Sequence, residues 1–206
     1  MILDFSELSG LQLDALREIG NIGAGNAATA LAVMVNSKID MTVPQVSILP
    51  FDEVASTLGG ADTLVVGIYL QVTGSANAKI VFLLPLDKAM ALADMLMGRL
   101  AGSTGELGEI EMSAMAEVGN IISGTYLNAL AMFTQLKLIP SVPAMAVDMT
   151  GALIDSILAQ FGEIGDYVLV LETQFKKEQQ DVVGHFLLLP EPGALDMILT
   201  SLGVNF

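Results

Sequence analysis

Apolar residues are spaced along the chain in a way that predicts the same succession of elements twice. In each half a long helix is followed by a strand, a short helix, two strands that form a hairpin, and a final amphipathic helix. Consecutive strands predict an α+β fold: a pseudo-two-fold repeat of α-β-α-β-β-α, with a central antiparallel-type sheet flanked by helices. The predicted elements lie at 8–35, 41–50, 52–60, 63–74 with 78–85, and 87–97, and then at 108–134, 140–149, 150–162, 167–175 with 181–190, and 193–202.

Short matching segments indicate that the two halves are copies of one plan. The segment EIGNI at 18–22 matches EVGNI at 117–121, and IVFLLP at 80–85 matches HFLLLP at 185–190. A cluster of Gly, Ser and Thr at 101–105 marks the joint between the copies. The sequence therefore predicts a single domain over residues 1–206, built from two repeats, 1–102 and 103–206.

Each long helix carries three polar residues at spacings of four and three, which place them on one side of the helix. They are Asp14, Glu18 and Asn21 in the first helix and Ser113, Glu117 and Asn120 in the second. A proline, Pro44 or Pro143, follows each Asn after 23 positions. Polar residues on a helix most often form a solvated surface. Here the pattern occurs twice with every spacing kept, and each copy places an Asn in a helix interior, where Asn lowers helix propensity. These two features indicate a function instead.

Glycines surround both Asn residues, although glycine costs about 1 kcal/mol relative to alanine in a helix interior. They are Gly20, Gly23 and Gly25 in the first helix and Gly119 and Gly124 in the second. Such glycines permit close approach of a neighbouring element. Alternatively, Gly20 and Gly119 keep space beside each Asn for a partner surface. The segment GNIGAG at 20–25 is not predicted to bind a nucleotide, because it does not open a helix after a strand and lacks the P-loop Lys-Ser/Thr.

Composition restricts the class of protein. The chain has 206 residues, of which 53% are hydrophobic, but no stretch of 18 apolar residues without polar breaks, and no basic N-terminal region before an apolar run. It has no cysteine. We therefore expect a cytoplasmic protein that does not insert in a membrane. A net charge of −15 disfavours nucleic acid as a partner. That charge indicates either simple solubility or a partner with a basic surface.

The helix motifs carry a resemblance to a known family. An Asp or Ser, a Glu four residues later, an Asn three residues after it, and a Pro a further 23 positions on resemble the signature of the CheC/CheX/FliY family of chemotaxis phosphatases. The segments IGNIGAGNAATAL (19–31) and VGNIISGTYLNAL (118–130) are similar to that family. Two copies in one chain resemble the CheC branch. CheX-type proteins have one site per chain, the FliM middle domain lacks the Glu/Asn pair, and FliY-type proteins carry additional segments.

The resemblance implies an enzyme that hydrolyses the aspartyl phosphate of the response regulator CheY. It implies that the Asn residues orient the attacking water, that the Glu residues pair with a lysine of the regulator, and that Asp14 and Ser113 support the contact. Pro44 and Pro143 then have a geometric role. The family further implies phosphorylated CheY and CheD as partners. The helix at 150–162 differs in length from its counterpart at 52–60, which makes it a candidate CheD surface. It implies no cofactor of the chain's own, since Mg²⁺ is supplied by the regulator.

Two rival functions remain open from the sequence. One is a non-catalytic adaptor that binds phosphorylated CheY or CheD without hydrolysis. The other is a scaffold of the flagellar-switch type. The single histidine, His185, lies in a predicted strand and is expected to be a packed residue, so a Ser-His-Asp arrangement is not predicted.

Overall fold

A computed structural model describes residues 8–161 and 167–204. The helices are α1 (Gly10–Val35), α2 (Phe51–Thr57), α3 (Leu86–Met97), α4 (Glu109–Thr134), α5 (Thr150–Phe161) and α6 (Ala194–Ser201). The strands are β1 (Asp40–Pro50), β2 (Leu64–Gly74), β3 (Ala78–Pro85), β4 (Leu138–Pro140), β5 (Ala144–Met149), β6 (Tyr167–Lys177) and β7 (Gln180–Pro190). The predicted α+β class is confirmed, and the predicted helices and hairpins are present with bounds that differ by a few residues. Gly162, the predicted end of one helix, lies outside the described residues.

The strands of the described chain form one antiparallel sheet in the order β1-β6-β7-β3-β2-β4, with β5 also paired to β2. The first strand of each half pairs with the hairpin of the other half, β1 with β6, and β4 and β5 with β2. The two hairpins meet at the centre through β3 and β7. Exchange of the two halves leaves this order unchanged, so a pseudo-two-fold axis passes through the centre of the sheet.

Helices cover both faces of the sheet. One face packs against α1, α3, α4 and α6 around buried aromatic residues such as Phe82 and Phe186. The other face forms a smaller core with α2 and α5, through Val54 and Ile154. None of the helices in the described part of the chain combines the length and the apolar character needed to cross a bilayer.

The two long helices pack against each other as well as on the sheet. A Cβ atom added at Gly23 of α1 would lie 2.9 Å from the Cα atom of Tyr126 in α4. That distance is too short for any side chain, so the seam between the helices requires glycine at this position. α1 begins after Ser9, whose backbone N–H donates to the Gln12 side chain at 2.8 Å. It ends at Val35 and is capped by Asn36, which has a left-handed φ of 49°.

The strand predicted at 140–149, which corresponds to β1 in the second half, is wrong near its start. Residues 141–143 lie outside the ladder, between β4 and β5. The physical reason is that Pro140 and Pro143 each remove a backbone donor from this short stretch. Ser141 holds the break against β2 instead: its N–H donates to the Gln71 carbonyl at 2.7 Å, and its hydroxyl accepts from the Gln71 N–H at 3.0 Å.

Candidate functional site

The structure places Asp14, Glu18 and Asn21 on one side of α1, which we call the α1 face. Asp14 and Glu18 are exposed, whereas Asn21 is half-buried. The Asp14 carboxylate forms an ion pair with Arg17, with 2.8 Å between Oδ1 and Nη2. Glu18 presents its carboxylate to solvent one turn before the amide of Asn21, so a charged group and a neutral amide lie side by side.

The side-chain amide of Asn21 is held at both ends. Its Oδ1 accepts a hydrogen bond from the backbone N–H of Val43 at 2.9 Å, and its Nδ2 donates to the Arg17 carbonyl at 3.2 Å. Val43 is 4% exposed, so its N–H needs a protein partner. The β1–β6 pairing shifts register between Thr42 and Gln45, which leaves Val43 outside the regular ladder. Asn21 therefore satisfies a backbone donor that the sheet does not.

The second copy, which we call the α4 face, consists of Ser113, Glu117 and Asn120, and all three side chains are exposed. Within residues 8–161 and 167–204, the Asn120 amide has no hydrogen-bond partner. The position that corresponds to Val43 is Val142, which lies in the break between β4 and β5 and is 87% exposed. The strand that holds Asn21 therefore has no equivalent beside Asn120.

The two faces point away from each other. Gly23 meets α4, and Asn21 lies two positions before it, about 200° around the helix. In α4, Asn120 lies about 120–140° around the helix from Thr125 and Tyr126, the residues that meet Gly23. Both faces are thus on the outer flanks of the helix pair.

The glycines next to the Asn residues serve packing. A Cβ at Gly20 would lie 3.1 Å from the Leu171 side chain, and a Cβ at Gly119 would lie 2.6 Å from Ile68. Both glycines are buried against the sheet. The alternative that they keep space for a partner surface is therefore wrong, and close helix–sheet approach explains them. Gly25, in contrast, has no neighbour within 4 Å of an added Cβ.

Sequence reasoning missed two backbone groups of the α1 face, the Val43 N–H and the Arg17 carbonyl. The sequence signal for the Val43 N–H was the fixed spacing between Asn21 and Pro44. Proline interrupts a strand ladder and also restricts the residue before it, which here is Val43. Pro44 is exposed and lies in the β1 irregularity, and Pro143 lies in the β4–β5 break.

His185 belongs to neither face. It lies in β7 opposite Glu172 of β6, beside residues that pack toward α2 and α5. Burial lowers the pKa of His185, and the charge of Glu172 partly opposes that shift. In the part of the chain that the structure describes, no group of three or more His, Asp or Glu side chains could hold a metal ion.

Each face combines a carboxylate with a carboxamide, which restricts its chemistry. A carboxamide does not titrate near neutral pH, so neither Asn21 nor Asn120 can act as a general base. It can accept one hydrogen bond while it donates another, and can thereby orient a water molecule. The exposed Glu18 and Glu117 carboxylates are suited to pair with a cation on a partner.

Comparison with known proteins identifies the family. A model described as the CheC-like family matches residues 11–48 and 110–146. These two segments run from α1 into β1 and from α4 into β5, so they contain both faces. The chain is also 38% identical over 205 residues to the CheY-P phosphatase CheC of Bacillus subtilis, and the match covers 98% of each protein. The chain belongs to the CheC-like family.

Other members and neighbours of the CheC-like family share parts of the chain or its fold. The flagellar motor switch phosphatase FliY of Bacillus subtilis is 29% identical over 143 residues, which are 69% of this chain and 37% of that protein. The crystal structure of Thermotoga maritima FliY superimposes with a TM-score of 0.75 at 24% identity, over 96% of this chain and 98% of that one. At that identity the structural match shows a shared fold.

Proposed function

We propose that this CheC-like chain hydrolyses the aspartyl phosphate of a CheY-type response regulator. The observation that carries the proposal is the pair of Glu–Asn faces, one on each long helix, inside the two segments that match the family. A relative that is 38% identical over almost the full chain is a CheY-P phosphatase. The proposed enzyme class is therefore a phosphatase that acts on a phosphorylated protein.

In the proposed mechanism, Asn21 or Asn120 enters the regulator's site and orients the attacking water in line with phosphorus. The water oxygen bonds to phosphorus, the bond between phosphorus and the aspartyl oxygen breaks with its electron pair left on the regulator's carboxylate, and inorganic phosphate leaves with the oxygen and the protons of the water. Phosphoryl transfer depends on positioning and electrostatics, and an amide side chain orients the attacking water in GTPases. No covalent intermediate on this chain is required.

The remaining groups of each face are assigned to docking. Glu18 and Glu117 are proposed to pair with a lysine near the regulator's phosphorylated aspartate, which fixes the register of the two proteins. Asp14 and Ser113 support that contact from the preceding turn. Mg²⁺ is proposed to reside on the regulator, where it neutralises the developing charge on the phosphoryl oxygens.

We further propose that CheD binds and regulates this chain through α5. No Lys or Arg occurs between Lys137 and Lys176, so the charged residues of this part of the sequence are all acidic, and Asp155 of α5 is exposed. Leu158 of the same helix is 39% exposed and adds an apolar contact. We expect Asp155→Lys to weaken CheD binding in calorimetry and to leave regulator dephosphorylation unchanged. Equal CheD affinity for both chains would place the contact elsewhere.

The test is the decay of radiolabelled phosphorylated regulator in Mg²⁺, with and without this chain at substoichiometric concentration. We expect the chain to accelerate release of inorganic phosphate through several turnovers. Binding without acceleration would contradict the proposed activity and favour the adaptor. Co-sedimentation with flagellar basal bodies, together with absent acceleration, would favour the flagellar-switch scaffold.

A further inference from the structure

We propose that the backbone of β1 at Val43–Pro44 presets the Asn21 amide for its work on the regulator, whereas the Asn120 amide is set only when a regulator docks. The inference rests on the proposed function for its kinetic consequence. Its structural part, a difference in order between two amides of the free chain, does not.

The first step is the origin of the free N–H group. Across the β1–β6 ladder, Thr42 faces Gln174 and Gln45 faces Glu172, so two residues of β1 stand opposite a single residue of β6. One is Pro44, which has no N–H to donate. The other is Val43, whose N–H is buried and turned toward α1. A bulge of this kind re-aims a group next to a functional site.

The second step concerns the hydrogen-bond positions of the Asn21 amide that remain free. A carboxamide has two acceptor positions on oxygen and two N–H donors. Val43 uses one acceptor position, and the Arg17 carbonyl uses one donor. One of each remains, which is the pair needed to accept a hydrogen bond from a water molecule while donating another to a phosphoryl oxygen. The two bonds already made fix the plane of the amide, and with it the directions of the free positions.

The third step is the contrast with the second copy. Val142 takes the place of Val43, but it lies in the break that Pro140 and Pro143 impose, and 87% of it is exposed. Within the described ranges the Asn120 amide has no partner that fixes its plane. The Asn120 side chain can therefore change rotamer until a regulator docks, and docking then costs the conformational entropy of that side chain.

Side-chain amide NMR of the free chain tests the structural part. We expect the Asn21 NH₂ group to be as ordered as the backbone, with an order parameter of about 0.85, and the Asn120 group to fall below about 0.6. Asn21→Asp and Asn120→Asp assign the two signals by their loss. Equal order of the two amides would overturn the inference, whatever the chain's activity.

Kinetics test the functional part in an Asn120→Ala background, where only the α1 face works. Pro44→Ala restores an N–H and frees the backbone, so the bulge can relax and release the amide. We expect kcat to fall about three- to tenfold with KM unchanged, together with loss of order at Asn21. Pro50→Ala, the same change at the last residue of β1, is the matched control and should alter neither. An Asn21 amide that becomes mobile while kcat stays the same would overturn the inference. A parent chain that never accelerates decay would instead refute the proposed function and leave the NMR result standing.

Discussion

The α1 face and the α4 face have the same spacing of polar residues and different surroundings. Asn21 is half-buried and bonded to Val43 and Arg17, whereas Asn120 is exposed and has no partner in the described chain. The helix alone decides that each Asn points outward, and the neighbouring strand decides whether its amide is held. The same motif therefore has a structural role in the first copy that it lacks in the second.

The difference has a simple origin in the two strands. β1 continues through its one internal proline by a change of register, and the N–H that this change releases is taken by Asn21. In the second half two prolines stand three positions apart, and the strand divides into β4 and β5. Ser141 then satisfies β2 rather than α4. The loss of the Asn120 contact follows from that division.

The largest effect on the free energy of unfolding is expected at the seam between α1 and α4. Gly23→Ala would place a Cβ 2.9 Å from the Tyr126 backbone, which cannot move aside as a side-chain tip could. We expect the free energy of unfolding to fall by about 1–3 kcal/mol. Gly25→Ala, two positions away with open space around it, should raise it by up to about 1 kcal/mol through helix propensity. Urea denaturation measures both, and equal effects of the two changes would contradict the assigned seam.

The next effect separates the faces. Asn21→Ala removes the acceptor of the buried Val43 N–H and should cost about 1–3 kcal/mol of unfolding free energy. Asn120→Ala should change it by less than about 0.5 kcal/mol, as at other surface positions. Asn21→Asp keeps an acceptor and should restore most of the loss. If the two alanine variants melted alike, the strand would not depend on Asn21.

A third prediction concerns the number of regulator molecules that one chain binds, which should be two rather than one. Because the faces lie on opposite flanks of the helix pair, we expect two regulators, held in the phosphorylated form by a phosphoryl analogue, to bind one chain at once. Calorimetric titration should give two sites in the parent chain, and Glu18→Lys should leave one. A single site in the parent chain would show that the faces obstruct each other.

The smallest expected effect is that of pH on the stability difference between Asn21→Ala and Asn120→Ala, which should stay constant. Burial lowers the pKa of His185 from its ordinary value of 6.5. The unfolded chain then binds the proton more tightly, so stability falls as pH drops below 6.5 and levels off below the folded pKa. Amides do not titrate, so the stability gap between Asn21→Ala and Asn120→Ala should be equal at about pH 8 and about pH 5.5. A gap that varies with pH would require a titrating group at the α1 face.

Much of this architecture could be predicted from the sequence, because periodicity and turn residues report on local structure. The long helices, both hairpins and the positions of the two polar faces follow from patterns within a few residues of each other. The pairing of β1 with β6, in the other half, could not be predicted, since alternation shows which side of a strand is buried and not which strand lies beside it. The role of the Val43 N–H was harder to predict, because a backbone group has no residue type of its own and only the spacing between Asn21 and Pro44 pointed to it.

The measurement that tests the central claim most directly compares hydrolysis and binding in the double variant Asn21→Ala/Asn120→Ala. The amides are proposed to orient water and the carboxylates to dock. We therefore expect decay of the labelled phosphorylated regulator to return to its rate without the chain, while affinity for the regulator stays within about threefold, a difference of less than 1 kcal/mol. Either single variant should retain part of the acceleration. Decay in the double variant as fast as with the parent chain would contradict the account.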